Sequence, residues 1–190
     1  MYKVYDDILT KNEQEVLNNI FFDCYFPFYF TSSQKTVDSV AYDKWADDKT
    51  VETKSMVHTF IDNGEVSKFY KKIEHVIQKF SEKTSIKFFD IIRCKLNLQY
   101  QVPNYNKNDY QCPHYDQSID HKVLIYYPYT SDGDTFLLNE VEPNNYEIID
   151  RINPIGGRFL LMDKMFHAGQ PPVKNETRMT LNYNLIGVYK

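Results

Sequence analysis

Residues 157–183 read GRFLLMDKMFHAGQPPVKNETRMTLNY, and this segment is the most informative part of the sequence about the fold. It contains a strand-like run at 158–162, apolar from Phe159 onward, and opens a second strand-like run at 178–189. The Gly and Pro residues at 169–172 lie between the two runs and are typical of a turn. Two strand-like runs separated by turn residues, with no helical pattern between them, predict antiparallel β-structure.

Similar short runs fill the second half of the chain. They lie at 86–101, 122–127, 135–138 and 146–152, and they are separated by turn residues such as those at 131–134. Many short strands without intervening helices are typical of a sandwich or a barrel rather than of a βαβ fold. We therefore predict a mostly β protein in which residues 86–190 form a jelly-roll core.

The first 85 residues show helical patterns instead. Thr10 and Glu13 have the spacing of a capping box, and the apolar residues after them predict a helix over 12–21. A second helix is predicted from an apolar stripe at helical spacing, formed by Val66, Phe69, Tyr70, Ile73, Val76, Ile77 and Phe80. We interpret residues 1–85 as helical support on one face of the jelly roll, and residues 1–190 as a single domain.

Composition and charge exclude several classes of protein. The formal net charge is −4, and no apolar run approaches the roughly 18 residues of a membrane span. Because there is no basic excess to attract a phosphate backbone, we expect neither nucleic acid nor a membrane as a partner. The three cysteines are odd in number and lack C-x-x-C spacing, which favours a reducing compartment and a soluble, cytoplasmic protein. An Asp- and Lys-rich run at 36–53, which includes Trp45, predicts a surface loop.

Three segments of the β-rich part carry candidate functional residues. In the first, His114 and Asp116 are two positions apart, so on a strand their side chains point to the same face. In the second, His167 precedes the Gly/Pro-rich turn. In the third, Arg178 lies eleven positions after His167 and shares a strand face with Thr180. The three segments together offer two imidazoles, a carboxylate and a guanidinium.

These residue types suit a metal site with an anion-binding group beside it. Two histidines and one carboxylate form the facial triad that holds Fe(II) and leaves coordination positions open. An Arg that points into a strand-lined interior is costly unless an anion neutralises it, and it can grip a carboxylate through paired charge-assisted hydrogen bonds. His114, Asp116 and His167 are therefore the candidate metal ligands and catalytic residues, and Arg178, with the Thr180 hydroxyl, is the candidate anion-binding group.

Other residues compete for a part in such a site. Cys112, two positions before His114, is a softer ligand that would select zinc. His58 is a candidate for the entrance of the site, although a structural role is favoured. We expect His75 to face solvent. His121 is a candidate to face the substrate, although a position facing solvent is favoured.

The order His114-x-Asp116, His167, Arg178-x-Thr180 resembles that of the 2-oxoglutarate- and Fe(II)-dependent dioxygenases. The resemblance is to their small prolyl 4-hydroxylase-like members, some of which are encoded by bacteriophages and other viruses. It covers residues 86–188, with residues 1–85 matching only as the helical support that such proteins carry. Many relatives have Gly-Gly before the Thr of the middle strand where this chain has Gly133-Asp134, a difference that we expect to be structural.

The resemblance implies a double-stranded β-helix of the cupin type, with Fe(II) at one open end between the sheets. It implies 2-oxoglutarate and O2 as cosubstrates, and ascorbate as a stimulant. 2-Oxoglutarate would pair its 5-carboxylate with Arg178, and Asn97, Tyr110 and Tyr126 are further candidates for contact with it. The products would be succinate, CO2 and a hydroxylated prolyl or other peptidyl side chain, or a hydroxylated small molecule, in the host cytoplasm if the chain is viral.

A protein of a different class is also compatible with the residues. A catalytically silent jelly-roll module would keep the metal ligands and serve as a metal-binding or interaction protein. Formation of succinate from 2-oxoglutarate would distinguish the enzyme from such a module.

Overall fold

The computed structural model describes residues 1–31, 55–106 and 108–189. The predicted surface loop at 36–53, with Trp45, lies outside these ranges. The helices of the described part are α1 (Lys11–Phe21) and α2 (Glu74–Thr84), with a 3-10 turn at Tyr70–Lys72. The strands are β1 (Tyr2–Tyr5), β2 (Tyr29–Thr31), β3 (Ser55–Asp62), β4 (Glu65–Val66), β5 (Asp90–Tyr100), β6 (Lys122–Tyr126), β7 (Thr135–Glu142), β8 (Asn145–Ile152), β9 (Phe159–Asp163), β10 (Phe166–Gly169) and β11 (Thr177–Ile186).

The strands form two antiparallel sheets. The larger has the order β1-β9-β6-β11-β5-β3-β2, with β4 on β3, and the smaller has the order β10-β7-β8. An isolated bridge between His114 and His167 adds the segment around His114 to the free edge of β10. From β5 onward the chain passes repeatedly between the two sheets, which is the connectivity of a jelly roll. The predicted fold class is therefore confirmed.

The outer face of the larger sheet forms the main hydrophobic core. Alternate residues of its strands, among them Leu96, Leu124 and Leu181, pack with Leu17 of α1 and Phe80 of α2. Burying each such side chain contributes about 1.5–3 kcal/mol, so the two helices are held on this one face by apolar contact. None of the helices in the described ranges is long and apolar enough to cross a membrane.

The two predicted helices differ in how well they match the structure. α1 begins where the sequence indicates, because the Thr10 side chain accepts a hydrogen bond from the Glu13 amide and the Glu13 carboxylate accepts one from the Thr10 amide. The stripe from Val66 to Phe80 is not one helix, and this prediction was wrong. Val66 lies in β4, a 3-10 turn follows, and the α-helix begins only at Glu74.

The first 85 residues also contribute more than helical support. β1 pairs with β9, and β3 pairs with β5, so this part of the chain extends the larger sheet at both edges. β10, a strand that the sequence pattern does not predict, pairs with β7 and carries His167.

The space between the two sheets has an apolar part and a polar part. Val123, Ile125 and Leu160 of the larger sheet meet Leu137 and Ile152 of the smaller one. The inward positions of β5 and β11 are polar instead, and they face a cavity. The polar half of the jelly roll therefore positions the candidate site.

Candidate active site

The cavity lies between the sheets and has an open mouth, with about 590 Å³ of empty space including that mouth. Its lining is mostly polar and charged: Arg93, Lys95, Asn97, Gln99, His114, Asp116, Ile125, Thr135, His167, Gly169, Arg178, Thr180 and Asn182. Period-two alternation explains this composition, because successive side chains of a strand point to opposite faces. The intervening residues of β5 and β11 belong to the core beneath the helices.

The three predicted metal ligands meet at one point of this cavity. One ligand atom each from His114, Asp116 and His167 lies within 4.8 Å of the others. Nε2 of His114 is 3.9 Å from one carboxylate oxygen of Asp116, and Nε2 of His167 is 3.8 Å from the other. The bridge between the backbones of His114 and His167 fixes the spacing of the two rings, whose centroids are 4.7 Å apart.

The imidazoles are oriented as metal ligands require. Nδ1 of His114 donates to the Cys112 carbonyl at 2.9 Å, and Nδ1 of His167 donates to the Met165 carbonyl at 3.1 Å. With Nδ1 protonated, each Nε2 carries a free lone pair. Nε2 of His167 is buried and has no hydrogen-bond partner in the described structure. An orphaned buried nitrogen beside a second imidazole and a carboxylate fits a divalent metal, and this donor set suits Fe(II).

Asp116 is held in its ionised form by its neighbours. One of its oxygens accepts a hydrogen bond from Nη2 of Arg93 at 2.6 Å, and the other accepts one from Nδ2 of Asn184 at 2.9 Å. Burial alone would raise the pKa of Asp116, but electrostatic interaction with the nearby His167 ring and the Arg93 guanidinium, together with the Asn184 hydrogen bond, holds that pKa below its ordinary value. The ligand carboxylate is thus both charged and oriented.

His114 is held neutral, which is the form that a metal binds. Burial, and then the proximity of His167, lowers the pKa of His114 to about 4. The Asp116 charge and the hydrogen bond to the Cys112 carbonyl oppose this shift without reversing it. At neutral pH the lone pair of Nε2 is therefore available.

Arg178 is 5% exposed and lies on β11, six positions before Asn184, which contacts Asp116. Its guanidinium donates to the Gly133 carbonyl at 2.6 Å, to the Gln99 side chain at 2.7 Å and to the Thr135 hydroxyl at 2.7 Å. No carboxylate among the described residues forms an ion pair with it. Three of its five N–H groups are used in these bonds, and two are left for an anion in the cavity.

Gly133 makes this position of Arg178 sterically feasible. A Cβ atom at Gly133 would lie 2.3 Å from the Gln170 carbonyl oxygen and 2.8 Å from Cδ of Arg178. Gly133 is thus required for close packing over the Arg178 side chain.

The structure brings most of the remaining predicted site residues to the cavity, but not all. Thr180 and Asn97 face each other across the pairing of β11 and β5, and both line the cavity. Tyr126 points to the other face of the sheet. There the centroid of its ring lies 4.7 Å from that of Phe159, in the core beneath the helices. Tyr110 packs on Phe136, in a separate cluster on the smaller sheet. Neither tyrosine lines the cavity.

Several cavity residues are not predicted by the motifs. Arg93, Lys95 and Gln99 on β5, Thr135 on β7, and Asn182 and Asn184 on β11 all line the cavity or contact a predicted ligand. The signal for most of them is in the sequence: positions 93, 95, 97 and 99 are polar while 94, 96 and 98 are apolar, and 178–185 alternate likewise.

The competing candidates lie elsewhere or play supporting parts. Cys112 is not in the ligand group, and its contribution is the carbonyl that orients His114. His58 is buried among aromatic rings and bonds the Pro27 carbonyl and the Ser67 hydroxyl, so its expected structural role is confirmed. His75 is on α2 and is half-buried. His121 is only 4% exposed, so the expectation that it faces solvent was wrong.

Comparison with known proteins gives matches in structure only. No protein-family model and no curated protein matches the sequence. An oxidoreductase of the 2OG-Fe(II) oxygenase family from Burkholderia pseudomallei superposes with a TM-score of 0.64 at 10% identity, covering 97% of this chain and 85% of that one. The viral collagen prolyl hydroxylase of Paramecium Bursaria Chlorella virus-1 gives a TM-score of 0.53 at 16% identity, covering 97% and 94%.

A third similar structure is a prolyl hydroxylase from Trichoplax adhaerens in complex with a peptide fragment of hypoxia inducible factor. It superposes with a TM-score of 0.53 at 13% identity, covering 97% of this chain and 83% of that one. At such identities the similarity concerns the fold. This chain has the jelly-roll fold of the 2-oxoglutarate- and Fe(II)-dependent oxygenases.

Proposed function

We propose that the protein is an Fe(II)- and 2-oxoglutarate-dependent dioxygenase. One observation carries the proposal: a His-Asp-His ligand group and a buried arginine, which has no carboxylate partner among the described residues, line the same polar cavity. The first suits Fe(II), and the second suits the distal carboxylate of a dicarboxylate cosubstrate. The fold, which is that of oxygenases of this kind, agrees with both.

In this proposal each side chain has a defined part. His114, Asp116 and His167 hold the metal, which when bound activates O2 so that oxidative decarboxylation of 2-oxoglutarate to succinate and CO2 accompanies hydroxylation of the substrate. Arg178 binds the distal carboxylate with its two remaining N–H groups. Thr180 and Asn97, which line the cavity between them, add hydrogen bonds to the cosubstrate.

Thr135 is suited to assist Arg178. Its hydroxyl oxygen already accepts hydrogen bonds from Tyr127 at 2.8 Å and from Arg178 at 2.7 Å. Because both acceptor positions are filled, the hydroxyl proton is free to be donated to a carboxylate at Arg178.

The substrate that we favour is a prolyl or other peptidyl side chain. The support is the structural similarity to a viral collagen prolyl hydroxylase and to a prolyl hydroxylase crystallised with a peptide. The net charge of −4 gives no general attraction to nucleic acid. A cytoplasmic site of action, in the host cell if the chain is viral, belongs to the same proposal.

A turnover assay tests the proposal. Purified protein is incubated in air with Fe(II), 2-oxoglutarate and ascorbate, without any further substrate, and succinate is measured. We expect succinate from the wild type and none from His167→Ala, which lacks one metal ligand. His75→Ala, altered on α2 outside the cavity, is the matched control and should equal the wild type. Absence of succinate from the wild type, or equal amounts from His167→Ala, would support the silent binding module instead.

A further inference from the structure

The cavity wall formed by β5 and β11 is a ladder of four polar pairs. The pairs that share the cavity side are Gln99–Arg178, Asn97–Thr180, Lys95–Asn182 and Arg93–Asn184. The two end pairs are engaged with other residues. Arg93 and Asn184 both donate to Asp116. Gln99 and Arg178 bond each other, and Gln99 also donates to Gln111 and Arg178 to Thr135.

The two middle pairs are not engaged. The side chains of Lys95, Asn97, Thr180 and Asn182 make no hydrogen bond and no ion pair with any other described residue, and all four line the cavity. The side-chain oxygen of Asn182 is buried without a partner. Polar groups that are buried are normally hydrogen-bonded, so this part of the wall is suited to a polar ligand.

Lys95 adds a positive charge to this part of the wall, which favours an anionic ligand. The charge of Arg93 is paired with Asp116 through a contact of 2.6 Å, whereas Lys95 and Arg178 have no carboxylate partner among the described residues. Cations that are withdrawn from water without a counter-ion are costly. Arg178 is buried and Lys95 is half-buried. Two cations without a described carboxylate partner on one cavity wall favour a ligand with two anionic groups.

The position of Lys95 on the ladder indicates which anionic group it meets. Along β5 it is two positions from Arg93, which contacts the metal-ligand carboxylate, and four positions from Gln99, which contacts Arg178. It is therefore nearer to the metal-ligand end of the cavity than to the Arg178 end.

We propose that Lys95, with Asn182 beside it, binds the 1-carboxylate of 2-oxoglutarate, the one next to the keto group, at the metal-ligand end of the cavity. Arg178 binds the distal carboxylate. Between the two cations, the pair Asn97–Thr180 lies along the carbon chain of 2-oxoglutarate. This inference rests on the proposed function, and it adds a second cationic contact that neither the metal-ligand motif nor the Arg178-x-Thr180 motif contains.

Calorimetric binding to the Mn(II)-loaded protein tests it, with two probes. 2-Oxoglutarate has both carboxylates, and 2-oxobutyrate lacks the distal one. Lys95→Met should weaken the binding of both probes by about tenfold or more, because it removes a charge-assisted contact that both make. Arg178→Gln should weaken the binding of 2-oxoglutarate to a similar extent and leave the binding of 2-oxobutyrate unchanged. Lys95→Arg, which restores the charge, should recover most of the affinity.

Two controls separate this role from a structural one. Lys83→Met, on an exposed lysine of α2, should bind both probes as the wild type does. The affinity of Lys95→Met for Mn(II) alone should not fall, which shows that the ligand group is intact in that variant. If the wild type and Arg178→Gln behave as expected but Lys95→Met binds both probes as tightly as the wild type does, the role proposed for Lys95 is wrong. The proposed function then still stands. If the wild type binds no 2-oxoglutarate, both are wrong.

Discussion

Asn184 lies outside every motif in the chain, yet it determines how the ligand carboxylate is presented. Its amide and the guanidinium of Arg93 each hold one oxygen of Asp116, at 2.9 and 2.6 Å. Groups that hold a metal ligand in place orient it and thereby raise the metal affinity of the site. The metal site therefore depends on five side chains: the three ligands, which the sequence motif contains, and Arg93 and Asn184, which it does not.

Replacing Asn184 should weaken metal binding without removing a ligand. We expect Asn184→Ala to raise the dissociation constant for Mn(II) by about 10- to 100-fold, the usual effect of losing such a contact. Titration followed by electron paramagnetic resonance measures the free ion directly. Asn139→Ala, on an exposed position of β7, is the control, and equal affinities for Asn184→Ala and wild type would show that the amide has no such effect.

The residues that sequence could and could not predict differ in a physical way. His114, Asp116, His167 and Arg178 are recognisable because their spacing alone implies a shared face or a shared chemistry. Tyr126 could not be assigned correctly, because 123–126 of β6 are apolar and buried on both faces, so no alternation indicates which residues point to the cavity. Ile125 lines the cavity in its place.

At the scale of elements, the apolar stripe at 66–80 shows how periodicity can mislead. Asn63 and Gly64 both have positive φ, 47° and 89°, and they form the turn between β3 and β4. Asn-Gly is a strong signal for a two-residue hairpin turn. Because the chain reverses there, Val66 pairs with Ile61 as a strand residue, and its place in the helical stripe is a coincidence of spacing.

The loop between β10 and β11 is fixed by one carboxylate. Asp132 accepts hydrogen bonds from the backbone N–H groups of Val173, Lys174 and Asn175, at 3.2, 2.8 and 2.9 Å. Partial burial would raise the pKa of Asp132, but these three bonds together lower it. The loop leads directly into Thr177 and Arg178, so Asp132 helps to set the position of the anion-binding strand.

Asp132→Asn should therefore lower the free energy of unfolding by about 1–3 kcal/mol at neutral pH, since it replaces a charged acceptor with a neutral amide. A carboxyl group whose pKa is lower in the folded state stabilises the protein above its unfolded-state pKa, and this contribution disappears as the pH falls through the folded-state pKa. The difference between wild type and variant should shrink below about pH 4.

Urea unfolding of both proteins at a series of pH values measures this difference. Asp120→Asn, at an exposed position, is the control and should unfold as the wild type does at neutral pH. A difference between wild type and Asp132→Asn that is constant from neutral to acid pH would show that the charge of Asp132 does not stabilise the loop.

At the level of the whole molecule, the jelly roll can be predicted because most of its strands and turns from residue 86 onward have clear sequence patterns. The pairing of the edge strands of the larger sheet cannot be predicted in the same way. β1 has only four residues, and its partner β9 begins at Phe159, so nothing local indicates the pairing. Pairings of such long range depend on the tertiary fold, which is why a helical reading of residues 1–85 is incomplete.

The division of the space between the sheets links this fold to the proposed function. Apolar residues of β6, β9 and the smaller sheet close one part of it, and this packing holds the sheets at a fixed separation. The polar ladder of β5 and β11 keeps the other part open as a cavity. The fold thus provides a rigid frame around a site whose own residues are polar and costly to bury.

A crystal structure of the protein with Mn(II) and 2-oxoglutarate would show whether the His-Asp-His group binds the metal and Arg178 binds the cosubstrate. We predict one Mn(II) ion bound by Nε2 of His114, Nε2 of His167 and a carboxylate oxygen of Asp116, with the distal carboxylate of 2-oxoglutarate on the guanidinium of Arg178. A metal ion bound elsewhere, or 2-oxoglutarate bound without contact to Arg178, would contradict the account.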